Sequence, residues 1–138
     1  MDKKDYLIIK ELRENSRISI KKIAKKTKIR PSTVHQRIHK LIRNETIEKF
    51  TVKLNNKKVE ENFIVFVLIK TNTEIKKDLF DKYNVKEVFG VTGQYDLILK
   101  LKFKDVEDFN DFILDLRKVP GIKETLTMVS TKTIKEEL

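Results

Sequence analysis

Residues 23–42, IAKKTKIRPSTVHQRIHKLI, decide the fold of the first half of this chain. Apolar residues recur at helical spacing on both sides of Pro31, which predicts two helices joined by a short turn. Proline suits the first turn of a helix, because the N–H that it lacks would have no partner there. The stretch is rich in Lys and Arg and contains no Asp or Glu. A helix with this surface is suited to a polyanion.

The first 44 residues are predicted to form three helices, followed by a wing. The helices run from the N-cap Asp2 to about Asn15, from Ile20 (after the N-cap Ser19) to about Thr27, and from Pro31 to about Asn44. The next stretch, TIEKFTVKL, alternates apolar and polar residues and predicts one or two short strands. This order predicts a winged helix-turn-helix.

The third helix has side chains that can read a DNA major groove. Its apolar residues are expected to face the other helices and to leave a polar surface exposed. Gln pairs with adenine, Arg with guanine and hydroxyls with either, whereas Lys side chains on the second helix reach phosphates. The predicted DNA-binding residues are Lys21, Lys22, Lys25, Lys28, Arg30, Ser32, Thr33, His35, Gln36, Arg37 and Lys40.

Other interpretations of this helix remain open. His35 and His39 have the i, i+4 spacing of a metal site, but no third ligand is near them in the sequence. We therefore expect no metal and no cofactor. The basic helix is also compatible with a solvated lysine-rich surface, or with a helix-turn-helix that binds protein.

The positive charge lies in the first 60 of the 138 residues, which hold 18 Lys and Arg against 7 Asp and Glu. Residues 61–138 hold 13 Lys and Arg against 14 Asp and Glu, so the two halves are expected to have different partners. The absence of Cys excludes disulfides and thiolate metal sites. No apolar run approaches the roughly 18 residues that a membrane span needs, and the start lacks the pattern of a signal peptide. A cytoplasmic protein is the simplest expectation.

The second half is predicted to be a ferredoxin-like domain, so that the fold class is α+β. We expect a first domain at residues 1–52, a polar linker at 53–62 and a second domain at 63–138 with the order β-α-β-β-α-β. The predicted strands are FIVFVLIKT, VKEVFGVTG, YDLILKLKF and IKETLTMVSTKT, and the helices lie at residues 74–84 and 105–119.

The first strand is apolar on both faces over Phe63–Ile69. The two helices of such a domain cover only one face of its sheet, so a second copy of the chain is the simplest cover for the other. We therefore expect a homodimer. A monomer with an unusually apolar core strand is the alternative.

Four motifs give the chain a resemblance to the Lrp/AsnC, or feast/famine, transcription regulators of bacteria and archaea. They are LRENSRISIKKIAKKTKI, PSTVHQRIHKLI, VTGQYDLILKL and PGIKETLTMV, in that order. The resemblance implies a winged helix-turn-helix that binds double-stranded DNA and a ferredoxin-like domain that dimerises through its sheet, often within octamers. It also implies a small effector, commonly an amino acid, at a contact between dimers. The matching positions are Gly93, Gln94, Tyr95, Asp96, Thr125 and Thr127.

Three positions depart from the family pattern. Arg30 stands where the family usually has Ser as the N-cap of the third helix, Glu45 where it has Gly before the wing, and Gln94 where an acidic residue is frequent. The cap is therefore expected to be weaker and the turn of the wing to differ, and Gln94 is expected either to change the choice of effector or to abolish effector binding.

We expect a sequence-specific DNA-binding transcription regulator, with the transcription machinery as a further partner. No nucleophile–base pair, metal cluster or phosphate-binding loop is visible, so we expect no enzyme. The alternative function is a nucleoid-type architectural protein that coats DNA with little sequence specificity.

Overall fold

The computed structural model describes residues 1–138, which fold as two compact units, Met1–Lys53 and Leu54–Leu138. The first unit holds α1 (Lys3–Glu14), α2 (Ile20–Thr27) and α3 (Pro31–Arg43). The second holds β1 (Phe63–Thr71), a 3₁₀ turn (Lys77–Leu79), β2 (Val85–Gly90), β3 (Leu97–Phe103), α4 (Val106–Arg117) and β4 (Ile122–Val129). The predicted α+β class is confirmed.

Both predicted N-caps of the first two helices are confirmed. The Asp2 carboxylate accepts a hydrogen bond from the Asp5 N–H at 3.0 Å, and the Asp5 carboxylate accepts one from the Asp2 N–H at 2.9 Å. This reciprocal capping box satisfies two of the amides that the first turn of α1 leaves without helical partners. At α2 the Ser19 hydroxyl accepts from the Lys22 N–H.

The three helices pack around one small apolar core. Three side chains, Ile8 from α1, Ile23 from α2 and Val34 from α3, are completely buried. Burial of each is worth roughly 1.5–3 kcal/mol relative to exposure. The core also includes Ala24 and Ile29, with Leu12, Ile18, Ile20 and Ile38 partly buried around it.

An ion-pair cluster ties α3 to the start of α1. Arg37 Nη1 lies 2.7 Å from both carboxylate oxygens of Asp2 and 2.8 Å from Asp5 Oδ1. Asp5 is a buried charged residue, so the guanidinium offsets a charge that is costly to bury alone. The hydrogen bond from Arg37 is the main cause that lowers the pKa of Asp2 to about 2. The hydrogen bond from the Asp2 N–H is the main cause that lowers the pKa of Asp5.

The predicted wing strands at residues 46–54 are absent, so that prediction was wrong. The segment has no strand pairing, and its Ile47 N–H donates to the carbonyl of Leu41 in α3. The side chains of Phe50 and Val52 are about half exposed. Alternating residues form a strand only where a neighbouring strand accepts their backbone hydrogen bonds, and the first unit contains no other strand.

The second unit is built on a four-stranded antiparallel sheet with the order β2-β3-β1-β4. This is the strand order of the predicted ferredoxin-like fold, and it makes β1 and β3 the central strands. Helix α4 begins after Asp105, whose carboxylate accepts from the Asp108 N–H, and it packs on one face of the sheet. The core between them contains Val65, Val67, Ile69, Ile75, Leu79, Leu99, Leu101, Phe103, Phe109, Phe112, Ile113 and Leu116.

The predicted helix at residues 74–84 is reduced to a single 3₁₀ turn at Lys77–Leu79, so this prediction was also wrong. Thr73 is the hydroxyl residue best placed to cap such a helix. Its backbone is instead held in a hydrogen-bonded turn with Thr71, and the 3₁₀ turn has no side-chain cap. A helix without a cap loses about 1 kcal/mol of support at its first turn.

The side chains of β1 divide between two different environments. Val65, Val67 and Ile69 face α4 and are completely buried. Phe66 and Leu68 point to the opposite side, because successive side chains of a strand alternate. We call that side the open face; its apolar residues are Ile64, Phe66, Leu68, Phe89, Ile98, Leu126 and Met128.

Part of the predicted linker binds the sheet of the second unit. Lys102 Nζ donates to Asn56 Oδ1 at 2.9 Å, and Lys86 Nζ donates to Glu61 Oε1 at 2.7 Å. These residues therefore have fixed partners. The domain limits at residues 52 and 63 stay a prediction.

We expect the helical unit to lose stability in acid because of the Arg37 cluster. The pKa of Asp2 falls from 3.8 to about 2 on folding, so the contribution of this group is fully present above about pH 4. It is lost as the pH falls through about 2, where the folded carboxylate takes up a proton. Thermal unfolding followed by far-UV circular dichroism across this range measures the loss.

The Arg37→Gln variant should unfold at lower temperature above pH 4 and should lose less on acidification. The matched control is Arg43→Gln, which removes a charge from the same helix with no carboxylate within ion-pair distance. If Arg37→Gln and the wild type show the same pH dependence, the cluster does not have this role.

Candidate nucleic-acid interface and effector turn

One side of α3 is free of contacts with the rest of its unit. Ser32, His35, Gln36 and Lys40 are exposed on it and Thr33 is half-buried, whereas Val34 and Leu41 are buried on the opposite side. We call the side formed by Ser32, Thr33, His35, Gln36 and Lys40 the reading face. It combines hydroxyl, imidazole, amide and ammonium groups, which can all hydrogen-bond to base edges or phosphates.

The lysines predicted to contact phosphates are available for binding. Lys21, Lys22, Lys25 and Lys28 are all exposed, and none has a carboxylate partner within ion-pair distance. Lys26 differs, because its Nζ lies 2.7 Å from Glu11 Oε2 and the hydrogen bond raises the pKa of this lysine. Four basic side chains on or just after α2 therefore have no acidic partner within the protein.

The turn between α2 and α3 is closed without glycine. Lys28 follows α2 in the left-handed conformation at φ 58°, which costs a non-glycine residue about 1–2 kcal/mol. Arg30 is the N-cap of α3 and gives no side-chain hydrogen bond. The weaker cap expected at Arg30 is therefore confirmed. Glu45, after α3, is left-handed as well at φ 57°, a conformation that glycine would adopt without strain.

Arg37 has a different environment from the one the sequence predicts. Its guanidinium binds Asp2 and Asp5, and its side chain is only 25% exposed. Contact with guanine needs the same N–H donors, so this geometry does not favour the predicted base contact. Sequence reasoning missed the cluster because the acids lie more than 30 positions earlier. The only indication was a pair of acids at the start of a helix that α3 must pack against.

His39 is a further exposed residue of α3 that the predicted DNA-binding set leaves out. Its Nε2 lies 3.1 Å from His35 Nε2, and the two rings line an open depression with Gln36 and Arg43. The spacing of four residues was the available indication.

The turn that contains Gly93 joins β2 to β3. Gly93 has φ +122°, a conformation that side chains disfavour, and nothing lies within 4 Å of where its Cβ would be. Asp96 closes the turn: its N–H donates to the Ile69 carbonyl and its Oδ2 accepts from the Thr71 N–H, both at 2.9 Å. Asp96 therefore has a structural role at the end of β1, whether or not it also binds a ligand.

The predicted effector residues lie in the turn between β2 and β3 and on the edge strand β4, where the side chains of Glu124 and Thr125 alternate to opposite faces. Tyr95 OH lies 3.4 Å from Glu124 Oε1 on β4, and burial followed by the charge of Glu124 raises the pKa of this tyrosine. Thr125 pairs with Ile69, the residue whose carbonyl binds Asp96. Thr127 lies one pleat further along β4. Gln94 is exposed in the turn. Glu124 was not predicted, although it directly precedes Thr125.

Metal clusters and membrane spans are not seen in this fold. No group of three or more His, Cys, Asp or Glu side chains is arranged to hold a metal ion. No helix combines the length and the apolar character that crossing a bilayer requires.

Two family models match the chain. A model of the AsnC-type helix-turn-helix domain matches residues 1–42. A model of the Lrp/AsnC ligand-binding domain matches residues 64–138. Each match covers the unit in which the corresponding candidate site lies.

Similar proteins are found over the full length. An uncharacterised HTH-type transcriptional regulator of Pyrococcus horikoshii is 37% identical over 100% of this chain and 97% of its own. The HTH-type transcriptional regulator FL11 of Pyrococcus abyssi is 34% identical over 99% of this chain and 93% of its own.

Solved structures share the fold. The transcriptional regulator NMB0573 of Neisseria meningitidis, crystallised as an L-Met complex, has a TM-score of 0.90 at 23% identity, over 99% of this chain and 94% of that one. Escherichia coli AsnC has a TM-score of 0.86 at 19% identity, over 100% of this chain and 97% of that one. With both family models and full-length relatives in agreement, this chain belongs to the Lrp/AsnC family of transcriptional regulators, with a helix-turn-helix domain and a ligand-binding domain.

Proposed function

We propose that the protein is a homodimeric, sequence-specific regulator of transcription that binds double-stranded DNA and responds to an amino acid. The observation that carries the DNA-binding part is the reading face of α3, together with four unpaired lysines on or just after α2. Its polar groups are exposed, and no acidic residue lies between Asn15 and Asn44 to repel a phosphate backbone.

In this proposal α2 and α3 have different roles in DNA recognition. Lys21, Lys22, Lys25 and Lys28 supply phosphate contacts, which give affinity with little sequence information. Gln36 is the side chain of the reading face that is best suited to adenine, and Ser32 and Thr33 can bond to either base type. With Arg37 engaged in its ion pairs, base reading rests on Gln36, His35 and the two hydroxyls.

Dimerisation is proposed through the open face. Leu126, Met128 and Phe89 are 44%, 48% and 58% exposed, and they flank Phe66 and Leu68 of the central strand. A contiguous apolar surface of this kind usually marks an interface. A two-fold dimer would present two copies of α3 to DNA half-sites about one helical turn, or roughly 34 Å, apart. Assembly beyond the dimer and contact with the transcription machinery belong to the same proposal.

The effector is proposed to bind at the Gly93 turn. The Neisseria relative was crystallised with L-methionine, and an amino acid needs both an acid for its ammonium group and donors for its carboxylate. Asp96 and Glu124 supply acids, and Thr125 and the exposed N–H groups of the turn supply donors. Gly93 leaves room for a ligand to approach the backbone.

One observation favours the architectural alternative. Arg37, the residue of α3 best suited to guanine, is held inside the unit, whereas the phosphate-contacting lysines are unpaired. Such a surface supports binding that varies little with sequence. The ratio of specific to non-specific affinity at one salt concentration separates the two functions.

For DNA binding, we expect Gln36→Ala to lose roughly 1–3 kcal/mol on a site selected from random DNA and almost nothing on unrelated DNA. Lys25→Ala should weaken binding to both DNAs and flatten the salt slope by about one unit. Fluorescence anisotropy across a salt series measures both quantities.

The control for Lys25 is Lys26→Ala, because Lys26 lies on the same helix but is paired with Glu11. Lys26→Ala should change the salt slope of DNA binding less than Lys25→Ala does. Equal losses on both DNAs for Gln36→Ala would support the architectural protein instead.

For assembly, Leu68→Asp should separate the dimer without unfolding the sheet, because Leu68 lies on the open face. Val67→Asp, one residue away, should unfold the domain, since Val67 is completely buried and an unpaired charge there costs several kcal/mol. Light scattering reports the mass and circular dichroism reports the fold. A monomeric wild type, or a dimer that survives Leu68→Asp, contradicts the proposed interface.

For the effector, calorimetry with the twenty amino acids should give saturable heat for at least one. Asp96→Asn and Glu124→Gln should each weaken the binding of that amino acid. Both substitutions remove an acid beside its ammonium group but keep a hydrogen-bond acceptor. The control Asp111→Asn changes an exposed acid on α4 and should have no effect. Undiminished heat in both site variants would place the ligand elsewhere, and no heat with any amino acid would leave the turn purely structural.

A further inference from the structure

Two imidazole rings converge on the exposed side of α3. His35 Nε2 and His39 Nε2 lie 3.1 Å apart, and the ring centroids are 4.3 Å apart. Residues four apart lie one above the other on a helix, so both rings share one face. We propose that His35 and His39 chelate a borderline divalent cation, of the class of Zn²⁺, Ni²⁺ or Cu²⁺, through their Nε2 atoms.

The distance between the two nitrogens matches the bite of a chelate. Imidazole nitrogens bind zinc at about 2.0–2.1 Å, and angles between 90° and 109° then place two of them about 2.9–3.4 Å apart. The observed separation lies within this interval. The two nitrogens are therefore already separated by the distance that a chelate requires.

The chemistry of the pair is consistent with the binding of a cation. At this distance one Nε2 donates its proton to the lone pair of the other, so the ring tautomers differ. An ion between them accepts both lone pairs, and the donor ring moves its proton to Nδ1. The neutral pair therefore releases no net proton when the ion binds. Imidazole favours zinc, copper and nickel, whereas Mg²⁺ prefers oxygen ligands.

The surroundings leave the ion incompletely coordinated. The rings are exposed and share an open depression with Gln36 and Arg43. No third His, Cys, Asp or Glu joins them in a metal-binding group, so the remaining positions belong to water. The charge of Arg43, one turn further along α3, opposes the ion. These features describe an open and modest site, in contrast to a closed structural one.

An ion at this place would also affect DNA binding, and this step rests on the proposed function. The pair lies beside Gln36 on the side of α3 that we assign to the major groove. The vacant positions of the ion can accept guanine N7 or a phosphate oxygen, and its charge attracts the backbone. Ion and DNA are therefore expected to bind cooperatively, each raising the affinity of the other by the same factor.

The test is calorimetric titration of Zn²⁺ and of Ni²⁺ into the full chain, without an affinity tag, in a buffer that does not bind metals. We expect one ion per chain. His35→Gln and His39→Gln should each lose at least about tenfold in affinity, since the second nitrogen binds as an intramolecular ligand. Arg43→Gln should gain affinity because it removes a repelling charge. Mg²⁺ should give no heat, and the spectrum of bound Cu²⁺ should show two nitrogen ligands.

Two results overturn the chelate: no saturable uptake by the wild type, or uptake that persists in the double variant His35→Gln/His39→Gln. For the coupling, Zn²⁺ should raise DNA affinity in the wild type and leave it unchanged in the double variant; an unchanged or lower wild-type affinity overturns this step. If the ion binds but no DNA binds in either condition, the proposed function fails and the chelate stands.

Discussion

The alternation of side chains along β1 is the constraint on which the second unit depends. Val65, Val67 and Ile69 are completely buried against α4, and the intervening Phe66 and Leu68 have no helix above them. A strand that is apolar on both sides needs a cover on both sides. The chain supplies one cover through α4. On the other face Ile64 is buried by the chain itself, whereas Phe89, Leu126 and Met128 are about half exposed, and a second copy of the chain is proposed to cover them.

In the first unit a small charged cluster links two of the three helices. The apolar core of the three helices contains few residues, and the contact of Arg37 with Asp2 and Asp5 adds a charged link between α3 and the start of α1. The same two acids form the capping box of α1. One pair of carboxylates therefore both begins a helix and positions the reading face, and its charges are neutralised away from the surface that is proposed to meet DNA.

Some charged side chains of the protein form ion pairs with other residues, and others are exposed without a partner. Lys26 and Arg37 are paired with acids of α1, and Lys100 and Lys102 are paired with Glu136 at 2.8 and 3.0 Å. Lys21, Lys22 and Lys25 of α2 and Lys28 after it have no ion-pair partner. A net charge counts all of these groups alike, whereas only the unpaired ones contribute strongly to an encounter with a polyanion.

The sequence by itself determined α1 to α4, the four strands of the sheet, the order of that sheet and the family. The caps Asp2, Ser19 and Asp105, Pro31 at the start of α3 and the period-two pattern of β1 are local signals, because the groups that interact lie within a few residues of one another. The Gly93 turn was predictable for the same reason. The wing and the helix at residues 74–84 were predicted from equally local patterns, and both were wrong: the wing has no neighbouring strand to pair with, and the 3₁₀ turn has no side-chain cap.

Only the tertiary structure decided which charged side chains are free. The link between Arg37 and Asp2 spans 35 positions and that between Tyr95 and Glu124 spans 29, and no periodicity connects such residues. It likewise decided that Asp96 closes the end of β1 and which residues of β1 lie on the open face. Spacing places residues on an element, but an ion pair or a shared surface depends on how separate elements pack. That packing is fixed by the whole core and not by any single stretch of sequence.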